Sequence, residues 1–144
     1  MVILTELSTD AASSAKRVIE VPLTSADRRR VRRKLELPDG PEIALELPTG
    51  SILKAGQVLY ESESSVWIVA AADEEVLVVT PASIAEAARA AHFIGNLHRN
   101  IDIQGDSIVA LWDVGLEQRL LKVGLTSVRD RRPFGGAPLS GHAH

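Results

Sequence analysis

The chain contains no cysteine. That excludes a disulfide framework, thiolate zinc sites, iron–sulfur clusters and cysteine nucleophiles, and it suits a reducing compartment. Aromatic residues are scarce, at 3% of 144: Tyr60, Trp67, Phe93, Trp112 and Phe134. The core must therefore be built from Val, Ile, Leu and Ala, and few rings remain to stack on bases or sugars. Charge of one sign is also lacking. The formal net charge is −3, so no overall field draws nucleic acid or an acidic membrane. Long hydrophobic runs are missing too. The longest, Val66 to Ala72, has seven residues, against the roughly 20 that a membrane-spanning helix needs. Met1-Val-Ile-Leu-Thr-Glu has no basic region ahead of an apolar stretch, so it does not read as a secretory signal. A cytoplasmic protein with neither membrane nor nucleic-acid partner is expected.

What is present has two textures. The first half reads as short strands separated by turns: Val2 to Leu7, Arg17 to Val21 closed by Pro22, Ile43 to Leu47 ended by Pro48, Val58 to Glu61, and Val66 to Ala71. Pro38-Asp39-Gly40 and Thr49-Gly50 are turns by their chemistry. Strands at this spacing predict a small all-β unit over 1–74. From Glu75 the period changes. A strand to Thr80 leads into a helix over Ile84 to Ile94. Ser83 and Glu86 form a capping box at its start, and Gly95-Asn96 is its stop. A hairpin follows around Gln104-Gly105-Asp106. Asp113 then caps a second helix that Gly124 stops, and Leu125 to Val128 is a last strand. This β-α-β-β-α-β order over 75–130 is the ferredoxin-like pattern. The fold class is thus α+β, with a flexible, Pro- and Gly-rich tail over 131–144.

Chemistry-bearing residues are few. No Walker sequence, dinucleotide fingerprint or nucleophile elbow occurs, and no enzyme is expected. A metal-dependent hydrolase would need a general base beside an open metal position, and no residue presents itself. The four histidines are His92, His98, His142 and His144. Without cysteine, histidine is the only strong nitrogen or sulfur ligand for a transition metal. A lone histidine on a helix also reads as a surface or satisfied core residue, and the C-terminal His-Ala-His as drift in a disordered tail. Arg28 to Lys34 holds six basic residues in seven. It reads as a solvated edge strand, a protein-docking face, or the contact of a nucleic-acid or ribosome-associated module. Residues 1–74 nevertheless carry nine basic against twelve acidic residues, and charged edge strands resist aggregation in any case.

The segment Ala91-His-Phe-Ile-Gly-Asn-Leu-His98 resembles the Tyr-His-Leu-Gly-Asn-Arg-His signature of the urease accessory protein E family of nickel metallochaperones. The Arg-rich strand, the Pro-Asp-Gly turn, Ile-Ala-Leu-Glu-Leu-Pro-Thr-Gly and Leu-Lys-Ala-Gly-Gln-Val-Leu are similar to that family's N-terminal half. The resemblance covers nearly the whole chain. It implies a peptide- or partner-binding β domain and a ferredoxin-like, metal-binding, homodimer-forming domain. It further implies that the family's cargo, Ni(II), is held between subunits and delivered to apo-urease with accessory proteins that include a GTPase; Zn(II) or Cu(II) would bind in vitro. His98 matches the histidine that closes the signature and His92 the earlier one, with His142 and His144 as tail ligands. Leu97 and Ala91 stand where the signature has arginine and tyrosine. Trp112 occupies a stretch where some members carry histidines. A two-fold dimer gives two ligands from one histidine near its axis, and ligation by imidazole without thiolate favours release of a carried ion.

Overall fold

The computed structural model describes residues 2–7 and 16–135. The chain divides between Ala72 and Asp73 into two compact units.

The first unit is all-β apart from one 3-10 turn, Asp27–Arg29. Its strands are β1 (Val2–Leu4), β2 (Arg17–Leu23), β3 (Arg32–Glu36), β4 (Glu42–Glu46), β5 (Val58–Glu61) and β6 (Ser65–Ala71). They form two three-stranded sheets, β1-β4-β3 and β2-β6-β5. Period-2 alternation explains the burial. Along β2, Ile19, Val21 and Leu23 face inward while Val18, Glu20 and Pro22 face out. Pro22 lies within β2 rather than ending it. Among the described residues β2 is an edge strand, where the missing N–H costs no ladder bond. One aliphatic core joins the two sheets: Leu35, Ile43 and Leu45 from one, and Ile19, Val21, Leu59 and Val69 from the other.

Trp67 supplies the bulk that aliphatic residues cannot. Its Nε1 donates to the Pro38 carbonyl at 2.7 Å, and its ring tilts against Tyr60 at 5.4 Å between centroids. The Pro38-Asp39-Gly40 turn folds over it. Asp39, not Gly40, takes the positive φ, 55°. Gly40 is required for space: a Cβ there would lie 2.6 Å from Trp67 Cζ2.

The second unit contains β7 (Asp73–Val79), α1 (Ile84–Asn96), β8 (Asp102–Gln104), β9 (Ser107–Leu111), α2 (Val114–Lys122) and β10 (Val128–Pro133). The sheet order is β10-β7-β9-β8, antiparallel throughout. This is the ferredoxin-like βαββαβ fold expected from the sequence. One face of the sheet, with Leu77, Val79, Ile108 and Ala110, packs on Ala90 and Ile94 of α1 and Leu116 and Leu120 of α2. Val76, Val78 and Val109, on the opposite face, cluster with Phe134.

The C-terminal boundaries of this unit differ from the sequence reading. The last strand is Val128–Pro133, not Leu125 to Val128, because Leu125 is buried as the closing residue of α2. The chain also stays ordered into the segment read as tail. Phe134 is 1% exposed. Gly135 donates to Asp102 Oδ2 at 3.0 Å, and Gln104 Nε2 donates to the Pro133 carbonyl at 3.1 Å. Residues 136–144, with His142 and His144, lie outside the described residues.

The Gly40 contact gives a direct test. Gly40→Ala should destabilise the first unit by about 1–3 kcal/mol through overpacking against the indole. Urea unfolding followed by tryptophan fluorescence measures this, and a loss below about 0.3 kcal/mol would mean the ring has room to shift.

Candidate metal centre

α1 begins as its sequence dictates. Ser83 is extended, its hydroxyl accepts from the Glu86 amide at 3.1 Å, and Glu86 Oε1 accepts from the Ala82 amide at 3.2 Å. The capping box is thus formed, with the return bond landing one residue earlier than the ideal pattern. The helix then presents Ala90 and Ile94 to the core. Ile84, Ala88 and His92, spaced by four, lie on an exposed face.

The end of α1 is where sequence and structure part. Gly95 and Asn96 remain helical, and the chain turns at His98, whose φ is 60°. The His98 amide donates to the Gly95 carbonyl at 2.9 Å and the Arg99 amide to the Ile94 carbonyl at 3.3 Å. These are the two bonds of a Schellman motif, with His98 at the position usually taken by glycine. α2 ends in the same way: Gly124, φ 79°, donates to Leu121 O at 3.1 Å, and Leu125 donates to Leu120 O at 2.9 Å. One unit therefore carries two copies of the motif, one closed by glycine and one by histidine. The left-handed conformation costs a residue with a Cβ about 1–2 kcal/mol. His98 bears that cost with its ring exposed, rather than buried against the core.

The turn is braced from α2. Arg99 forms an ion pair with Asp113, the residue that caps α2 by accepting from the Gly115 amide at 2.7 Å. That amide bond holds the Asp113 carboxyl below the usual carboxylate range. Slight burial acts against it, and Arg99 and the Leu116 amide add to it. Asp113 is therefore ionised at neutral pH. Its folded pKa lies below the unfolded one, so the stability it adds is present above the ordinary carboxylate range and lost as pH falls through the depressed value. Asp113→Asn, which keeps a cap, should flatten the loss of stability between pH 5 and 3 in urea titrations; a slope equal to that of the unmodified chain would assign the acid sensitivity elsewhere.

His98 lies at this turn and His92 on the exposed face of α1 before it, and both are exposed. Among the described residues no three His, Asp or Glu side chains come together as a metal-holding group. One described chain thus offers single imidazoles rather than a finished shell.

The basic run is not a single surface. Arg28 is buried, its Nε donating to the Leu23 carbonyl at 3.3 Å and its own carbonyl accepting from Leu53 at 2.8 Å. Arg33 turns inward to Asp27, 3.1 Å away. Arg32 sits opposite Glu46 in the β3–β4 ladder. β3 is an edge strand among the described residues, as the sequence suggested, and only part of its charge faces solvent. Among the described residues no helix is long and apolar enough to cross a membrane.

The two units together define the class of urease accessory proteins. The family model described as the N-terminal domain of the UreE urease accessory protein matches residues 2–72, and that of its C-terminal domain matches residues 74–144. The chain is 50% identical over 127 residues to the "Urease accessory protein UreE" of Synechococcus sp. (strain JA-3-3Ab), covering 88% of this chain and 85% of that one. It is 46% identical over 120 residues to the protein of the same name from Deinococcus radiodurans, covering 83% and 77%. A third, from Ralstonia nicotianae, is 34% identical over 137 residues, covering 93% and 65%. The chain belongs to the UreE urease accessory protein family.

The backbone at His98 yields a test that separates stability from ligation. His98→Gly should stabilise the second unit by about 0.5–1 kcal/mol, the relief of the left-handed conformation less the entropy of an added glycine, and should abolish any metal binding that needs this ring. Thermal unfolding and a Ni(II) titration of the same sample measure both; a destabilised variant would mean the histidine ring itself supports the fold.

Proposed function

We propose that this chain is a homodimeric nickel metallochaperone that carries Ni(II) to apo-urease during assembly of its active site, working in the cytoplasm with the other accessory proteins, the accessory GTPase among them. The observation that carries this reading is His98. It is an exposed imidazole held at a helix end in a conformation that glycine would adopt at lower cost. Strain retained at an exposed polar side chain points to use rather than to packing. The comparisons support the urease connection, because the relatives are named urease accessory proteins.

The single-imidazole geometry supports a metal shared between copies. His98 near a two-fold axis would meet its own copy and supply two ligands. The exposed face of α1 supports a second chain as neighbour: Ile84 is 90% exposed, and with Ala87 and Ala91 it lines an open groove against Ile103 and Ile108 of the hairpin. His142 and His144 would complete the shell, and His92 stands at its border. Imidazole ligands suit Ni(II), and also Cu(II) and Zn(II). Ligation without thiolate, at a site assembled from two chains, favours handover over storage. The chain acts here as a carrier and not as an enzyme.

Three variants test this in parallel. His98→Ala should remove most high-affinity Ni(II) binding, since it deletes two ligands of a symmetric site at once. His92→Ala should do less. Removal of residues 141–144 should weaken binding and leave the fold and dimer intact. All three should stay within roughly 0.5 kcal/mol of the unmodified chain in stability, or above it, because the changes lie at exposed positions or at the chain end. Calorimetric Ni(II) titration with mass measurement in solution provides the readout. His98→Ala binding like the unmodified chain would refute the shared site.

A further inference from the structure

The two helix ends of the second unit differ in one more respect. In α2 the residue after glycine is Leu125, 3% exposed, packed with Leu120, 0% exposed. That apolar pair is the contact that normally accompanies a Schellman motif. In α1 the equivalent residue after His98 is Arg99, which is exposed and cannot make such a contact with Ile94. The motif is nevertheless formed, and with the costlier left-handed residue.

The apolar contact is replaced by an ionic one to a different helix. The Arg99 guanidinium is paired with the Asp113 carboxylate. Asp113 is itself fixed, because its other oxygen, Oδ1, accepts the Gly115 amide at the start of α2. Behind the pair a small cavity of about 110 Å³ separates Leu97 and Arg99 from Gly115, Leu116 and Arg119. The carboxylate reaches across this gap to the chain immediately after His98.

We propose that Arg99 and Asp113 are positioning residues for His98: the ion pair straps the turn to α2 and so holds the imidazole in the one backbone conformation from which it meets the metal. This rests on His98 being a ligand, as proposed above. The pair is partly exposed, with side chains 47% and 30% accessible, so its contribution to global stability is small. Its effect is local. With the strap cut, His98 no longer has to remain left-handed, since relaxing the last turn of α1 relieves the strain at the cost of two terminal hydrogen bonds.

The test uses the full chain with Arg99→Ala, Arg99→Lys and Asp113→Asn. Hydrogen exchange is read at the His98 and Arg99 amides, the two donors of the motif, and Ni(II) affinity is read by calorimetry. Arg99→Ala should raise exchange at these two amides about tenfold while Ala90 and Ile94 stay protected, and should weaken Ni(II) binding about three- to tenfold. Arg99→Lys should recover most of both, because a point charge still reaches the carboxylate. Asp113→Asn should lie between them, and its difference from the unmodified chain should shrink at 1 M salt, where the screening length falls to about 3 Å. A purely structural role would not give that salt dependence. Unchanged exchange in Arg99→Ala overturns the strap, and so does faster exchange with full metal affinity. His98→Ala, read separately, tests whether the ring is a ligand at all. Its failure would overturn the chaperone site while leaving the exchange result to stand on its own.

Discussion

A positive φ at one non-glycine residue, His98, organises the second unit of this molecule. At 60°, His98 sends the chain away from α1 in the only direction that satisfies the Gly95 and Ile94 carbonyls through the next two amides. Both ends of the following connection are then fixed: α1 is packed through Ile94, and β8 lies at the sheet edge beside β9. A right-handed residue at 98 would continue the helix and carry its side chain round with it. The exposed imidazole, the reach of Arg99 to Asp113 and the start of β8 all follow from this single torsion.

The sequence made the architecture legible because its signals were local and mutually consistent. Pro38-Asp39-Gly40 marked a turn, Ser83 and Glu86 marked a helix start, and the change of period near Glu75 marked the passage into the second unit. The end of α1 misled because Gly95-Asn96 is the stronger stop by composition. Packing decided otherwise: with Ile94 and Leu97 both drawn to the core, the helix runs two residues further, to Asn96, and His98 inherits the reversal. The length of β10 was hidden for a related reason. Arg131 and Arg132 read as tail because a Pro- and Gly-rich stretch follows them, yet with Arg129 and Asp130 they form an edge strand. Arg129 pairs with Glu75 at 2.9 Å and lies 3.9 Å over the Trp112 ring, and Arg132 pairs with Asp130 at 2.5 Å. A strand with no buried face on its own residues has no period-2 signature to detect.

The candidate site was legible only as residue types. The resemblance to the family signature singled out His98 and His92, but nothing in it shows which ring is held by a constrained backbone. The basic run forms an edge strand, as its sequence suggested, but not one continuous face. Six charges in seven residues suggest a continuous face, whereas the 3-10 turn and the pleat of β3 send Arg28 and Arg33 inward and leave Arg32 opposite Glu46. Linear charge density does not survive folding when a turn interrupts the period.

A carrier of the kind proposed above would have to bind an ion tightly enough to collect it and loosely enough to surrender it, and the placement of His98 bears on both demands. A ligand on a mobile loop would add the entropy of ordering to every binding event. A ligand in the middle of a helix would be rigid, but its partners would have to come from the same helix face, spaced by three or four residues. A helix end closed by a left-handed residue is fixed in direction while projecting beyond the element, so the remaining ligands are free to arrive from another chain or from a tail. In the proposed role this strain would be borne in advance, by the packing of α1 and α2 against the sheet together with the Arg99–Asp113 pair, and not by the metal. In the proposed role, exchange would proceed by withdrawal of the other ligands while His98 stays in place, which would separate the constancy of the site from the lability of its cargo.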